Sequence, residues 1–93
     1  MLTLDTDLRI PEAVLFTTVD GDAVLLNTRS NTYFSLSEVG ACLWNLLSGG
    51  SSFRAAYESI LDEYEVDGAQ LERDLLDLVG HLRENGLVES VSA

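Results

Sequence analysis

Reactive side chains are few in this sequence, and their surroundings do not suit catalysis. Cys42 is the only cysteine and His81 the only histidine. Cys42 lies between Val39 and Trp44 on a helical pattern, which is typical of a small core residue. A nucleophilic thiol would need a neighbouring base or positive charge, and the pattern offers none. His81 has no second imidazole or cysteine cluster with which to bind zinc, so we expect it on the solvated surface. The sequence therefore predicts no catalytic residue, no metal site and no cofactor.

The acidic run Asp62-Glu63-x-Glu65-x-Asp67 has residue types that suit calcium. Its spacing does not match an EF-hand loop, and Asp67 precedes a helical pattern, as a capping residue does. The sequence also lacks a glycine-rich phosphate loop and a nucleophile elbow. We interpret the run as solvated surface, which leaves binding as the expected activity rather than catalysis.

The remaining candidates for binding are backbone N–H and C=O groups. They are expected at the edge of a predicted strand that leads directly into a helix. Residues 32–36 alternate in polarity and are rich in β-branched and aromatic side chains, whereas residues 39–47 are apolar at helical spacing. Ser37 suits the N-cap of that helix, although Ser35 with Glu38 forms a competing capping box one step earlier. This strand ends its sheet, so its other edge has unpaired N–H and C=O groups.

Three successive strands position that edge. Residues 13–19 and 23–28 are β-branched and apolar, and Asp20-Gly21-Asp22 between them tolerates positive φ, which predicts a hairpin. A second polar break at Arg29-Ser30-Asn31 precedes the strand at residues 32–36. The pattern predicts an antiparallel meander of three strands.

Helical patterns occupy the second half of the chain. The first helix stops at Ser48-Gly49-Gly50-Ser51-Ser52, where a serine can cap a second helix that continues to about residue 64. Asp67 suits the cap of a third helix, which continues to Asn85 before Gly86. We therefore expect an α+β fold with a three-stranded antiparallel sheet followed by three helices.

The ends of the chain are polar and weakly patterned. We expect an extended lead-in over residues 1–12, one folded domain over residues 13–88 and a frayed, flexible tail over residues 89–93. A single cysteine excludes an internal disulfide, and no apolar run suits a membrane span or a signal peptide. We expect a cytoplasmic monomer that does not bind membranes.

Charge argues against nucleic acid as a partner. The chain has five arginines and no lysine against sixteen carboxylates, for a net charge of -11, which opposes contact with any polyanion. A winged-helix DNA-binding protein stays an alternative by fold. Its recognition helix would carry carboxylates that outnumber Arg73 and Arg83, so the charge balance disfavours that function.

The third helix is apolar over a wider arc than one packing partner requires. One stripe, which we expect to face the core, has the members Leu71, Leu75, Leu78 and Leu82. Leu76 and Val79 lie to one side of this stripe, flanked by Glu72 and Arg83. The two apolar residues are therefore either additional core or the wall of a groove.

Three blocks occur in an order and spacing that one family shares: residues 23–28, the run from Thr32 to Gly40 with Leu43-Trp44, and the closing Leu82-Arg83-Glu84-Asn85-Gly86-Leu87. They resemble the PqqD-like family, whose members are peptide-recognition domains of ribosomal peptide maturation. The resemblance extends over residues 13–88. Ser37 stands where that family commonly has Asn, which is chemically equivalent for capping.

The resemblance implies a winged-helix-like fold in which the leader of a precursor peptide adds as a strand beside the third strand and against the third helix. It assigns the peptide-binding residues by position: Asn31, Thr32, Tyr33, Phe34 and Ser35 at the edge, Leu76 and Val79 on the floor of the groove, and Glu72 and Arg83 at its rim. Because side chains alternate along a strand, only one of Tyr33 and Phe34 is expected to meet the peptide directly.

The resemblance also implies a pathway. A free-standing domain of this kind is similar to the chaperone of PQQ synthesis, which presents its precursor to a radical enzyme, and to the leader-recognition protein of lasso-peptide pathways. The polar spacer at residues 48–51 and the acidic, arginine-only composition favour the lasso type. In such pathways the leader-binding domain, called a RiPP recognition element, transfers the leader to a cysteine protease. A cyclase then closes the ring.

Overall fold

Sheet strands and then helices follow one another along the chain, as the sequence predicts. The computed structural model describes residues 2–19 and 22–91. Its elements are β1 (Asp7–Arg9), β2 (Val14–Val19), β3 (Asp22–Asn27), β4 (Thr32–Leu36), α1 (Glu38–Ser48), α2 (Phe53–Glu63), α3 (Gly68–Glu84) and β5 (Glu89–Val91). The predicted α+β fold is confirmed, with β2, β3 and β4 as the three-stranded sheet. Among the helices described, none is long and apolar enough to cross a lipid bilayer.

The sheet is an antiparallel meander in the order β2-β3-β4. Two cross-strand rows define its faces: Phe16, Leu25 and Phe34 on one face, and Leu15, Leu26 and Tyr33 on the other. Leu25 is buried beneath the helices, whereas Tyr33 is 70% exposed. Of the predicted hairpin turn, Asp20 and Gly21 lie outside the described residues. The flanking strands pair in register from Val14 with Asn27 to Val19 with Asp22.

The helices begin where their capping residues predict. Ser52 Oγ accepts a hydrogen bond of 3.1 Å from the Ala55 N–H, and the Asp67 carboxylate accepts one of 3.0 Å from the Gln70 N–H. Ser37 is the N-cap of α1 in an extended conformation, without a side-chain hydrogen bond. Capping bonds satisfy N–H groups that the first turn of a helix leaves unpaired.

The core lies between the inner face of the sheet and the three helices. Its large side chains are Leu4, Leu25, Leu36, Leu43, Trp44, Phe53, Ile60, Leu71, Leu75, Val79, Leu82, Leu87 and Val88. Burial of apolar surface of this kind is the main favourable term in folding. Trp44 is therefore a core residue, as its position on α1 predicts.

The two ends of the chain pair with each other. β1 and β5 form an antiparallel ribbon in which Leu8 lies opposite Ser90, and Arg9 Nε lies 3.5 Å from a Glu89 carboxylate oxygen. The predicted frayed tail is therefore wrong for Glu89–Val91. The pairing joins main-chain groups at opposite ends of the sequence, and side-chain patterns do not record such long-range hydrogen bonds.

Asn27 locks the end of β3 to the end of α3. Its side chain is 8% exposed, and its Nδ2 donates to the carbonyls of Asn85 at 3.3 Å and Gly86 at 3.1 Å. Its Oδ1 accepts a bond of 3.0 Å from the Arg29 N–H. Gly86 has φ +72°, and a Cβ there would lie 2.8 Å from Asn27 Nδ2. The position therefore favours glycine for both conformation and space.

Candidate functional site

The outer edge of β4 is the first component of the site. Within residues 2–19 and 22–91, β4 pairs with β3 on one side and with no strand on the other. Asn31, just before it, has φ +55°, a conformation that asparagine tolerates in turns. An unpaired edge of this kind presents N–H and C=O groups to which an extended peptide can add as a further strand.

A cavity of about 400 Å³ lies beside that edge, between β4 and α3. It is lined by Ser35, Leu36, Ser37, Val39, Gly40, Val66, Gln70, Leu71, Asp74, Leu75 and Leu78. A Cβ at Gly40 would lie 3.3 Å from side-chain atoms of both Leu36 and Leu78, so a larger residue there would crowd the floor. We call this cavity the groove. Its size and apolar floor suit the side chains of a bound peptide.

The rim of the groove is polar and carries negative charge. Gln70 Nε2 donates a 2.8 Å hydrogen bond to Asp74 Oδ1, which holds that carboxylate in place. Asp74 is the single charged residue among those that line the groove. A ligand with a carboxylate at this rim would be repelled, whereas an amide or a cationic side chain could pair with Asp74.

The structure separates the residues predicted at the edge by face. Tyr33 and Ser35 are exposed on the side of β4 that points away from the helices, whereas Thr32 and Phe34 are half-buried on the helix side. Phe34 packs against the core. Of the two aromatic residues between which alternation left the choice open, Phe34 faces the helices and Tyr33 faces solvent in the free protein. Contact of residues 31–35 with a peptide stays a prediction.

The predicted roles of Leu78 and Val79 are exchanged. Val79 is 0% exposed and belongs to the core, which contradicts the exposure expected of a groove residue. Leu78, predicted as core, is half-buried and lines the groove. At about 100° per residue, Leu78 and Val79 lie on opposite sides of the line through the buried residues Leu71, Leu75 and Leu82. Only the packing of α3 decides which of these two sides the core covers.

The other residues predicted on α3 lie away from the groove as well. Leu76 and Glu72 line a shallow pocket on a different side of the helix, and neither they nor Arg83 line the groove. The N-terminal segment approaches that side of the helix. A Cβ at Gly80 would lie 3.9 Å from a side-chain atom of Leu2. Asp5 pairs with Arg54 through two hydrogen bonds, and this pairing, together with the weaker effect of the Glu72 charge, raises the pKa of Arg54.

Gln70, Asp74 and Leu78 are the groove residues of α3 that were missed from sequence. They follow one another at intervals of four, so they form one line along the helix, which joins the predicted stripe at Leu78. That spacing was visible in the sequence. It did not identify the groove because the line is mostly polar, as any solvated flank is.

Cys42 has the surroundings of an unreactive thiol. It is half-buried on α1, and its Sγ lies 3.9 Å from Glu63 Oε2. Burial, and then the negative charge of Glu63, raise the pKa of the thiol. Within the residues described, no group of three or more His, Cys, Asp or Glu could hold a metal ion.

We expect Cys42 to react with iodoacetamide at pH 8 more slowly than N-acetylcysteine, because the raised pKa lowers the thiolate fraction. Glu63→Gln should increase the rate by removing the nearby negative charge, and mass spectrometry of the intact protein measures both. A reaction faster than that of the free thiol would instead identify an activated nucleophile.

Comparisons with known proteins give one family and two related solved structures. The family model described as "Coenzyme PQQ synthesis protein D (PqqD)" matches residues 22–88. The solved structure "TbiB1 in Complex with the TbiA(beta) Leader Peptide" superimposes with a TM-score of 0.84 at 35% identity, over 91% of this chain and 99% of that one. "Lasso peptide synthetase B1 complexed with the leader peptide" gives a TM-score of 0.79 at 31% identity, over 89% and 98%. A search of curated proteins found no match.

The matched region contains the sheet edge, the groove and the helix that lines it. A family model that covers most of the chain, together with two homologous structures superimposed over nearly their whole length, leads to one conclusion. The chain belongs to the PqqD family, and within it is homologous to the B1 proteins of lasso peptide synthetases.

Proposed function

We propose that this chain is a non-catalytic recognition module that binds the leader of a ribosomally made precursor peptide. The leader adds as a strand to the free edge of β4 and places side chains in the groove. The observation that carries the proposal is the unpaired edge beside an apolar cavity of about 400 Å³. The leader peptide in the homologous TbiB1 structure supports it.

Main-chain and side-chain contacts have separate tasks in this mode of binding. Main-chain hydrogen bonds to β4 give affinity for any extended peptide, while the groove selects which side chains fit. The net charge of -11 and the Asp74 carboxylate disfavour an acidic leader. The ligand is therefore an extended, apolar peptide segment that is neutral or basic.

We assign this recognition module to lasso-peptide biosynthesis. The module delivers the bound leader to a cysteine protease that removes it and to a cyclase that closes the ring, in the cytoplasm, as a monomer. Identity of 31% to a lasso peptide synthetase B1 protein over 89% of this chain supports this pathway. A second candidate is presentation of the PQQ precursor to a radical enzyme, which the description of the family model favours. DNA binding is disfavoured by the acidic charge.

Backbone methylation tests strand addition directly. The ligands are the TbiA(beta) leader and peptides selected from a displayed random library, each remade with N-methyl groups on alternate amides. In an added strand, alternate amides face β4, so one set of methylated peptides should bind about tenfold more weakly per lost bond. The other set should bind normally in calorimetry. Equal effects of both sets, or no binding peptide at all, would refute the proposal.

A further inference from the structure

The face of the sheet turned away from the helices carries exposed apolar side chains that the groove does not use. Leu15 is 56% exposed and Tyr33 70%, and the half-buried Leu26 lies between them in the same cross-strand row. Val24 adjoins this row, and the residues line a shallow cavity of about 320 Å³. We call Leu15, Val24, Leu26 and Tyr33 the outer patch. Tyr33 is the member of the outer patch on the edge strand β4, where an added strand would lie beside it.

The occupant of the outer patch follows from the geometry of strand addition. Neighbouring strands lie about 4.8 Å apart, and successive side chains of a strand point to opposite faces. A peptide paired with β4 therefore places alternate side chains about 5 Å from Tyr33 on the outer face. Leu15, on β2, is three strand spacings away from that peptide, or about 14 Å, and lies out of reach.

The charge of the chain limits which partners can bind to the outer patch. The outer patch has no charged member, and the chain as a whole carries a net charge of -11. A second copy of this chain would bring the same charge to the contact, which opposes stacking of two sheets. An apolar side chain of a neutral or basic peptide meets no such penalty.

We propose that the leader is recognised on both of its faces. One side chain enters the groove, and a side chain of the opposite parity, aromatic or aliphatic, packs against Tyr33 at the border of the outer patch. This inference rests on the proposed function and adds a second specificity position to it. A leader whose apolar residues all point to one face of the added strand can fill the groove but makes no apolar contact with Tyr33.

The experiment selects peptides from a displayed random library on the full chain and on three variants. Peptides selected on the unmodified chain should be enriched in apolar residues at two positions of opposite parity. Tyr33→Ser should lose the enrichment at one parity, and Leu78→Ser should lose it at the other. Leu15→Ser is the matched control, because it removes an equally exposed residue of the same face, and its selected peptides should keep both positions.

Affinities of one selected peptide give the size of the effect. Tyr33→Ser should weaken binding about tenfold, as the loss of a packed aromatic contact does, while Leu15→Ser should stay within about twofold. Circular dichroism verifies that each variant is folded. Affinities that fall equally for both variants would mean that a wider partner surface covers the outer patch, which would overturn the inference.

Four further outcomes are decisive. Enrichment at a single parity on the unmodified chain, or enrichment at both on Tyr33→Ser, would overturn two-faced recognition while the proposed function survives. Absence of any selected peptide would refute the proposed function and this inference together. A dimer in sedimentation that Tyr33→Ser and Leu15→Ser both dissociate would assign the outer patch to a second copy.

Discussion

Leu78→Asp is expected to weaken peptide binding about a hundredfold while the domain stays folded. Leu78 is half-buried and lines the groove near Asp74. The substitution removes an apolar contact and places an unpaired carboxylate in a site that the ligand desolvates, so a loss of about 3 kcal/mol is expected. Calorimetry with a selected peptide measures the affinity, and thermal unfolding measures the stability.

Two neighbours on α3 are controls for this prediction. Leu76→Asp makes the same change at another half-buried leucine of the helix, on the side away from the groove, and should leave affinity unchanged. Val79→Ala truncates a fully buried side chain and should cost about 2 kcal/mol of stability with little effect on affinity. If Leu76→Asp instead abolishes binding and Leu78→Asp spares it, the peptide lies on the face that the sequence predicted.

Gly86→Ala is expected to lower the free energy of unfolding by about 3 kcal/mol, or about 12 to 24 °C in melting temperature. A residue with a Cβ pays about 1 kcal/mol or more at φ +72°. Its Cβ would also lie 2.8 Å from Asn27 Nδ2 and displace that buried amide from the carbonyls of Asn85 and Gly86. An unpaired buried amide costs a further 1 to 3 kcal/mol or so.

Gly50→Ala separates the two contributions. Gly50 also has positive φ, at +97°, but apart from its chain neighbours no atom of the residues that the structure describes lies within 4 Å of its Cβ position. Only the backbone cost should therefore appear there. In an Asn27→Ala background, the cost of Gly86→Ala should fall toward that of Gly50→Ala, because the clashing atom is gone. Equal costs for the two glycines in the unmodified chain would show that the Asn27 lock contributes little.

Elements whose signals are local were predicted well from sequence. Alternating polarity over residues 32–36 predicted a strand. The polar caps placed the start of α2 at a serine of the run 48–52, which the structure shows to be Ser52, and the start of α3 at Asp67. Gly86 was predicted to follow the third helix because glycine favours positive φ after a helix. These signals act within a few residues of one another, so they are visible without the fold.

The groove was predicted only in part. Of the strand residues assigned to the site, Ser35 lines the groove, and the free edge beside it was expected because this strand is the last of its sheet. Its helix side was assigned to Leu76 and Val79 instead of Leu78. An apolar arc defines which side chains avoid water, but the rotation of a helix about its axis depends on every element packed against it.

Local patterns in the chain are enough to give the order of the three sheet strands and the three helices, the α+β fold, the acidic charge and the free edge of β4. Tertiary structure alone decided that β1 pairs with β5, that Val79 is core while Leu78 lines the groove, and that Tyr33 and Leu15 share an exposed face. The reason is the distance along the chain over which each kind of interaction acts. Periodicity and capping are interactions between near neighbours in the chain, whereas the rotation of α3, the pairing of the two ends and the shape of the groove arise from contacts between residues far apart in sequence.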